Sequence, residues 1–304
     1  MIFNKLIAAT LPLLPEKFIW IFSKRYIAGD KLKDVITVSQ KFNKKGIRVS
    51  IDLLGEYQSK IEKIDSYKNE YLAIIENAAK NGLNATISLK PTMFGLLTDS
   101  VICYAKIREI IKKASGNNYL VRIDMEDSKC TDLEIELFRK LHYEFPDNIG
   151  LVFQSYLKRT LNDLKSLSDL NKDHGPLNIR LCKGIYIEAK EIAYKKGNDI
   201  NYHFLKDLEF MFRNKYYAAI ATHDSKLIDG ALDLIKKYKI PSEKYEFQML
   251  YGVTPKLRKS LVEMEHPLRV YVPFGKEWFN YSTRRLKENP KLMSHLIKAL
   301  FVRK

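Results

Sequence analysis

Tyr71-Leu72-Ala73-Ile74-Ile75-Glu76-Asn77-Ala78-Ala79, then Gly82, then Asn84 through Ile87-Ser88-Leu89-Lys90-Pro91, is the stretch on which the fold turns. Its first part spaces apolar residues by three and four, which describes one face of a helix, and Gly82 stands where a helix cap belongs. Its second part is a short apolar run closed by a charge and a proline, which describes a strand and its exit. Helix, cap and strand in this order make half of a βα repeat. The same alternation recurs along the chain, with strand candidates at 47–56, 84–91, 119–127, 149–156, 177–186, 217–224, 245–252 and 268–275. Their starts lie 23 to 40 residues apart, room for a strand, a helix and two short loops. Eight such units approach the roughly 250 residues of a (β/α)8 barrel, so the expected fold is an α/β protein of TIM-barrel type. Residues 1–46 read as an N-terminal helical extension, and 47–304 as the barrel with its C-terminal helices. The runner-up, an open doubly wound sheet, would show fewer strands and a GxGxxG turn for a dinucleotide; the chain has no such turn.

Composition sets outer limits. At 304 residues, 46% hydrophobic and 29% charged, with 13 Gly and 10 Pro, the chain can bury a large core and is neither low-complexity nor disordered. Cys103, Cys130 and Cys182 are far apart, which excludes a disulfide framework and a Cys-rich zinc site and predicts a reducing, cytoplasmic setting. No second histidine stands at ligand spacing from His223, so no metal is expected. GxxxxGK[ST], GxSxG, HExxH and an EF-hand loop are absent. The longest uncharged run near the N-terminus, residues 6–15, is too short to span a bilayer and holds two prolines. The net charge of +16 points to an anionic partner, yet no arginine-rich tail or RNP-like pattern accompanies it. Nucleic acid is therefore not expected, and solvated helix faces or an anionic membrane surface account for the excess.

A (β/α)8 barrel builds its active site at the carboxyl ends of its strands. Here those ends carry Asp52 and Glu56, Lys90, Asp124 with Glu126 and Asp127, Gln154, Arg180 with Lys183, Thr222-His223-Asp224, Glu246 with Gln248, and Tyr271. Buried charges must pair or meet a ligand, so this concentration predicts either an ion-pair network or a charged substrate. After the last strand come Tyr281, Arg284, Arg285 and Glu288; adjacent arginines point about 100° apart around a helix and can grip one carboxylate or phosphate from two directions.

In order, the blocks Ile87-Ser88-Leu89-Lys90-Pro91, Val121-Arg122-Ile123-Asp124-Met125-Glu126-Asp127, Phe153-Gln154-Ser155-Tyr156-Leu157, Ile179-Arg180-Leu181-Cys182-Lys183-Gly184, Ala221-Thr222-His223-Asp224, Phe247-Gln248-Met249-Leu250-Tyr251-Gly252 and Val270-Tyr271-Val272-Pro273-Phe274-Gly275 resemble proline dehydrogenase, in its short bacterial monofunctional form. The likeness covers about residues 47–290. It implies oxidation of L-proline to Δ1-pyrroline-5-carboxylate with FAD, hydride passing to flavin N5 and electrons onward to a membrane quinone, and a protein peripheral to the inner face of the cytoplasmic membrane. It assigns Lys90, Arg284 and Arg285 to the substrate carboxylate and Tyr271, Tyr281 and Leu250 to the walls around the ring. Asp124 and Arg180 become the catalytic charged pair, with Arg180 beside N5. Met125, Gln154, Lys183, Gly184, Ile185, Thr222 and His223 join Arg180 as FAD contacts; Cys182 and Ile185 depart from the family's usual residues there. The alternative is a barrel aldolase or phosphosugar isomerase, with Lys90 forming a Schiff base and Arg284-Arg285 holding phosphate.

Overall fold

The computed structural model describes residues 19–20, 23–279 and 281–283. Eight parallel strands pair in chain order, β1 (Arg48–Leu53), β2 (Ala85–Leu89), β3 (Val121–Ile123), β4 (Ile149–Gln154), β5 (Asn178–Cys182), β6 (Tyr217–Ala221), β7 (Tyr245–Leu250) and β8 (Leu268–Phe274), and β8 closes back on β1. This is the expected (β/α)8 barrel. Around it stand α1 (Leu32–Asn43), α2 (Ile61–Lys80), α3 (Ser100–Ser115), α4 (Thr131–Glu144), α5 (Thr160–Ser166), α6 (Ser168–Asp173), α7 (Gly197–Arg213), α8 (Ser225–Tyr238) and α9 (Pro255–Glu263). α1 precedes the first strand in sequence but packs over β1 and β8, at the seam where the barrel closes.

The strands alternate strictly. Val49, Ile51 and Leu53 of β1, Ile87 and Leu89 of β2, Leu151 and Phe153 of β4, and Val270 and Val272 of β8 are buried in the layer between sheet and helices, where the main core lies. Their neighbours Arg48, Ser50, Asp52, Ser88, Arg122, Arg180, Glu246, Gln248, Arg269 and Tyr271 fall on the other, inward face, because side chains alternate along a strand. Parallel barrels usually fill this interior with branched aliphatic residues. A polar interior is affordable only where its groups pair with one another.

Each strand ends earlier than its apolar run suggested, at Leu53, Leu89, Ile123, Gln154, Cys182, Ala221, Leu250 and Phe274. Pro91 cannot donate to a ladder and opens a 3-10 turn, Pro91–Phe94; Gly184 and Gly252, at φ +104° and +77°, turn the chain away after β5 and β7. Of the polar residues read as strand ends, Glu56, Lys90, Asp124, Glu126, Asp127, Lys183, Thr222, His223 and Asp224 therefore sit on the loops of the barrel mouth, while Asp52, Gln154, Arg180, Gln248 and Tyr271 stand within the strands and Glu246 lies near the start of β7. The helix read from 71–79 is the second half of α2, and beyond its cap at Asn81 the Gly82 and Leu83 amides donate back to Ala79 and Ala78. Among the described residues no helix is long and apolar enough to cross a membrane.

Candidate active site

One cavity of about 430 Å³ opens at the carboxyl ends of the strands, within the range of small-ligand pockets. Its ionic part starts from β1 and β2. Asp52 is buried, and the Lys90 ammonium, also buried, donates to its Oδ1 at 2.9 Å. Burial alone pulls the Lys90 pKa down, but the charges of Asp52 and Asp124 and the hydrogen bond to Asp52 outweigh it and hold the amine above its usual value. Burial in turn raises the Asp52 carboxyl, with Lys90 opposing.

The second pair joins Asp124, just beyond β3, to Arg180 on β5. The Arg180 guanidinium donates from one terminal nitrogen to Asp124 Oδ1 at 2.7 Å and from the other to Ser88 Oγ at 3.0 Å and Ser50 Oγ at 3.3 Å. Its Nε donates to Gln248 Oε1 at 2.6 Å, so every guanidinium nitrogen is engaged. The Tyr271 hydroxyl donates to Asp124 Oδ2 at 2.7 Å while its ring lies 5.1 Å from Arg180 Cζ. Tyr271 thus braces Asp124 and stacks on the cation. Burial, then Asp124 and Asp52, keep the phenol well above its ordinary pKa, so it stays a donor.

The remaining expected contacts lie around the same cavity. Met125, Leu250, Ile185 and Tyr281 border it; Tyr281 is held by Tyr26, Ile27 and Leu54. Gln154 Nε2 donates to the Glu126 carbonyl at 2.8 Å, and Glu126 accepts from Thr92 with both carboxylate oxygens, tying the loop after β3 to the loop that carries Lys90. Lys183 donates to Asp224 at 2.6 Å, the carboxylate that also caps α8 through the Lys226 amide. That hydrogen bond to Lys183 holds the Asp224 carboxyl below its usual value. Thr222 Oγ1 accepts from the Asp224 amide at 3.2 Å, and His223 Nε2 accepts from the Leu250 amide at 2.9 Å, which fixes the imidazole across two strands. Gly184 is required where it stands: besides its positive φ, a Cβ there would lie 2.1 Å from the Tyr156 ring. Arg284 and Arg285 lie outside the described residues.

Residues without an assigned role also take part. Ser50, Ser88, Asp52 and Gln248 hold the two cations, and their inward register, two residues apart along β1 and β2 from one another, is a signal the alternation carried. Cys182, one of the two departures from the family's residues, borders the cavity; burial pushes its thiol up to about 11, and the sulfur is 3.6 Å from the Phe153 carbonyl oxygen.

Two cations and two carboxylates at a closed barrel's mouth, with apolar walls and two tyrosines beside them, define a barrel enzyme acting on a small charged molecule. The proline dehydrogenase profile matches residues 35–297. Over 280 residues the chain is 33% identical to proline dehydrogenase 1 of Bacillus subtilis, spanning 91% of this chain and 90% of that protein, and it is 31% identical to proline dehydrogenase of Deinococcus radiodurans over 291 residues, 94% and 92% of the two. It is 25% identical to the bifunctional protein PutA of Escherichia coli, of which it spans only 23%. The crystal structure of proline utilization A from Bdellovibrio bacteriovorus inactivated by N-propargylglycine superposes with a TM-score of 0.81 at 24% identity, over 87% of this chain and 32% of that one. The chain belongs to the proline dehydrogenase family, oxidoreductases of proline catabolism, and corresponds in extent to its short monofunctional members.

Proposed function

We propose that this chain binds FAD without a covalent bond in the cavity at the barrel mouth, oxidises L-proline there to Δ1-pyrroline-5-carboxylate, and delivers the electrons to a membrane quinone. The observation that carries the reading is the Arg180 guanidinium, immobilised by Asp124, Gln248, Ser50 and Ser88 at the floor of a cavity with apolar sides. Those sides, with Met125 and Leu250, suit a planar aromatic ring system, and Lys183 at the rim suits a phosphate if it exchanges Asp224 for it. Bound there, FAD supplies the hydride acceptor. Arg180 sets a fixed positive charge where negative charge accumulates as the substrate is oxidised, and Asp124 keeps it in place. Lys90, Arg284 and Arg285 hold the substrate carboxylate, Tyr271, Tyr281 and Leu250 enclose the ring, and Gln154, Gly184, Ile185, Thr222 and His223 complete the cofactor's surroundings. Forming the C=N bond needs the nitrogen lone pair, so the reactive substrate is the neutral amine. In this reading residues 47–304 form the catalytic unit and 1–46 its N-terminal extension.

A Schiff-base aldolase would need Lys90 as a free amine, whereas its two carboxylate neighbours favour the ammonium; nothing favours that alternative. The absorption spectrum of the purified protein is the test. Flavin bands that bleach with proline and are fully released into solution by acid denaturation are expected. A folded, colourless protein that leaves a redox dye unreduced with proline overturns the reading, and colour that stays with the denatured chain overturns its non-covalent part.

A further inference from the structure

The inner face of the barrel is charged well below the mouth. Glu246 on β7 is fully buried and accepts from Arg269 Nε at 2.6 Å and from Arg48 at 3.3 Å. Burial pushes its pKa up, but Arg269 and its hydrogen bonds bring it down to about 2, so it is a carboxylate with no proton to donate. Two residues along the strand, Gln248 Nε2 donates to Glu246 Oε1 at 2.6 Å. A carboxylate can only accept, so this bond decides which end of the amide faces which way: the NH2 group toward the floor, the carbonyl toward Arg180. That carbonyl accepts from Arg180 Nε at 2.6 Å.

We propose that Gln248 is a positioning residue, oriented by Glu246, that sets the rotation of the Arg180 guanidinium within the cavity. The inference rests on the flavin reading given above. Asp124, Ser50 and Ser88 hold only the two terminal nitrogens. Those bonds, with the Tyr271 ring beside Cζ, leave the Nε edge of the guanidinium without a hydrogen bond; Gln248, two strands from Arg180 on β7, holds that edge. Small residues make the passage possible: Ala219 and Ala221 on the neighbouring β6 leave the space these long side chains cross.

Gln248→Met keeps the length of the side chain and removes both hydrogen bonds. It is expected to lower kcat about tenfold to a hundredfold with the proline KM changed less than about threefold, since the carboxylate contacts are untouched. The same variant should shift the flavin reduction equilibrium about tenfold toward the oxidised form, about 30 mV for two electrons. Gln248→Glu supplies a second readout: protonated, it repeats the amide's pattern, donating to Glu246 and accepting from Arg180. Ionised, it faces Glu246 as a like charge, so its activity relative to wild type should fall as pH rises. A flavin-loaded Gln248→Met protein with wild-type kcat and potential, or a Gln248→Glu protein with a wild-type pH profile, overturns the positioning role. Wild-type protein without flavin fails the underlying reading instead.

Discussion

Asp124 and Arg180 show what single residues disclosed. Both were legible as a paired charge at the barrel mouth because a charge closing an apolar run at a barrel strand end needs a partner. Their company was less legible, since Ser50 and Ser88 look unremarkable in sequence and matter only through register, which brings two hydroxyls to one guanidinium nitrogen. The pairing also bears on the substrate. Lys90 is matched by Asp52 and Arg180 by Asp124, so these four charges sum to zero, and a carboxylate arriving among them adds an uncompensated anion. Arg284 and Arg285 are the sequence's candidates to supply the balance. Replacing either with Met should raise the proline KM about tenfold to over a hundredfold with flavin still bound, because a charged hydrogen bond contributes about 1.5–3 kcal/mol. Steady-state kinetics at saturating dye would decide it; unchanged KM in both variants would mean that another group holds the carboxylate.

At the scale of elements, the strands were readable as short apolar runs between helical stretches, and β1, β7 and β8 in addition alternate apolar with charged or polar residues. Their ends were not readable, since the polar residues that leave the ladder look like a continuation of it. The place of α1 was hidden too: a helical period reveals an apolar face but not that the face covers the seam of β1 and β8. α4 carries a feature with a pH signature. His142 is 1% exposed, stacks on Phe138, and neither ring nitrogen has a hydrogen-bond partner among the described residues. Burial, then His174, pulls its pKa down to about 4 from 6.5. Between those values the unfolded chain takes up a proton that the folded one refuses, so stability falls as pH drops from about 6.5 to about 4, by about 3 kcal/mol in all. Glu126 and Asp207, raised by burial to about 7, act oppositely in part of that range, so the difference between proteins is the informative quantity. Urea unfolding of wild type and His142→Phe at pH 7 and pH 5 should show the variant losing less stability on acidification; parallel losses would place the acid sensitivity elsewhere.

The whole molecule poses the question of its charge. With 52 Lys plus Arg against 36 Asp plus Glu, the surface attracts anions. We propose that this serves peripheral docking on an anionic membrane, where a lipid-soluble quinone would collect the electrons. By its sequence the N-terminal stretch 1–25 offers apolar side chains to such a contact, Leu6, Ile7, Leu11, Phe18, Ile19, Trp20 and Phe22. Of these, Ile19 and Trp20 are described: Ile19 is fully buried, and Trp20 packs on Trp278 with ring centroids 4.7 Å apart, so both cover the protein. The others lie outside the described residues. The basic excess supplies an electrostatic contribution to the docking. Each basic side chain near an anionic surface contributes about 1 kcal/mol, an attraction that fades over about 8 Å at physiological ionic strength. A handful of lysines on one face therefore gives binding that is firm at low salt and weak at high salt. Co-sedimentation with vesicles of phosphatidylcholine alone and with phosphatidylserine added measures this directly, and pelleting only with the anionic vesicles, reversed by about 0.5 M salt, is the expected result. Equal pelleting with both lipids, or binding that salt does not weaken, would show that the excess of lysine keeps the protein soluble rather than bringing it to a membrane.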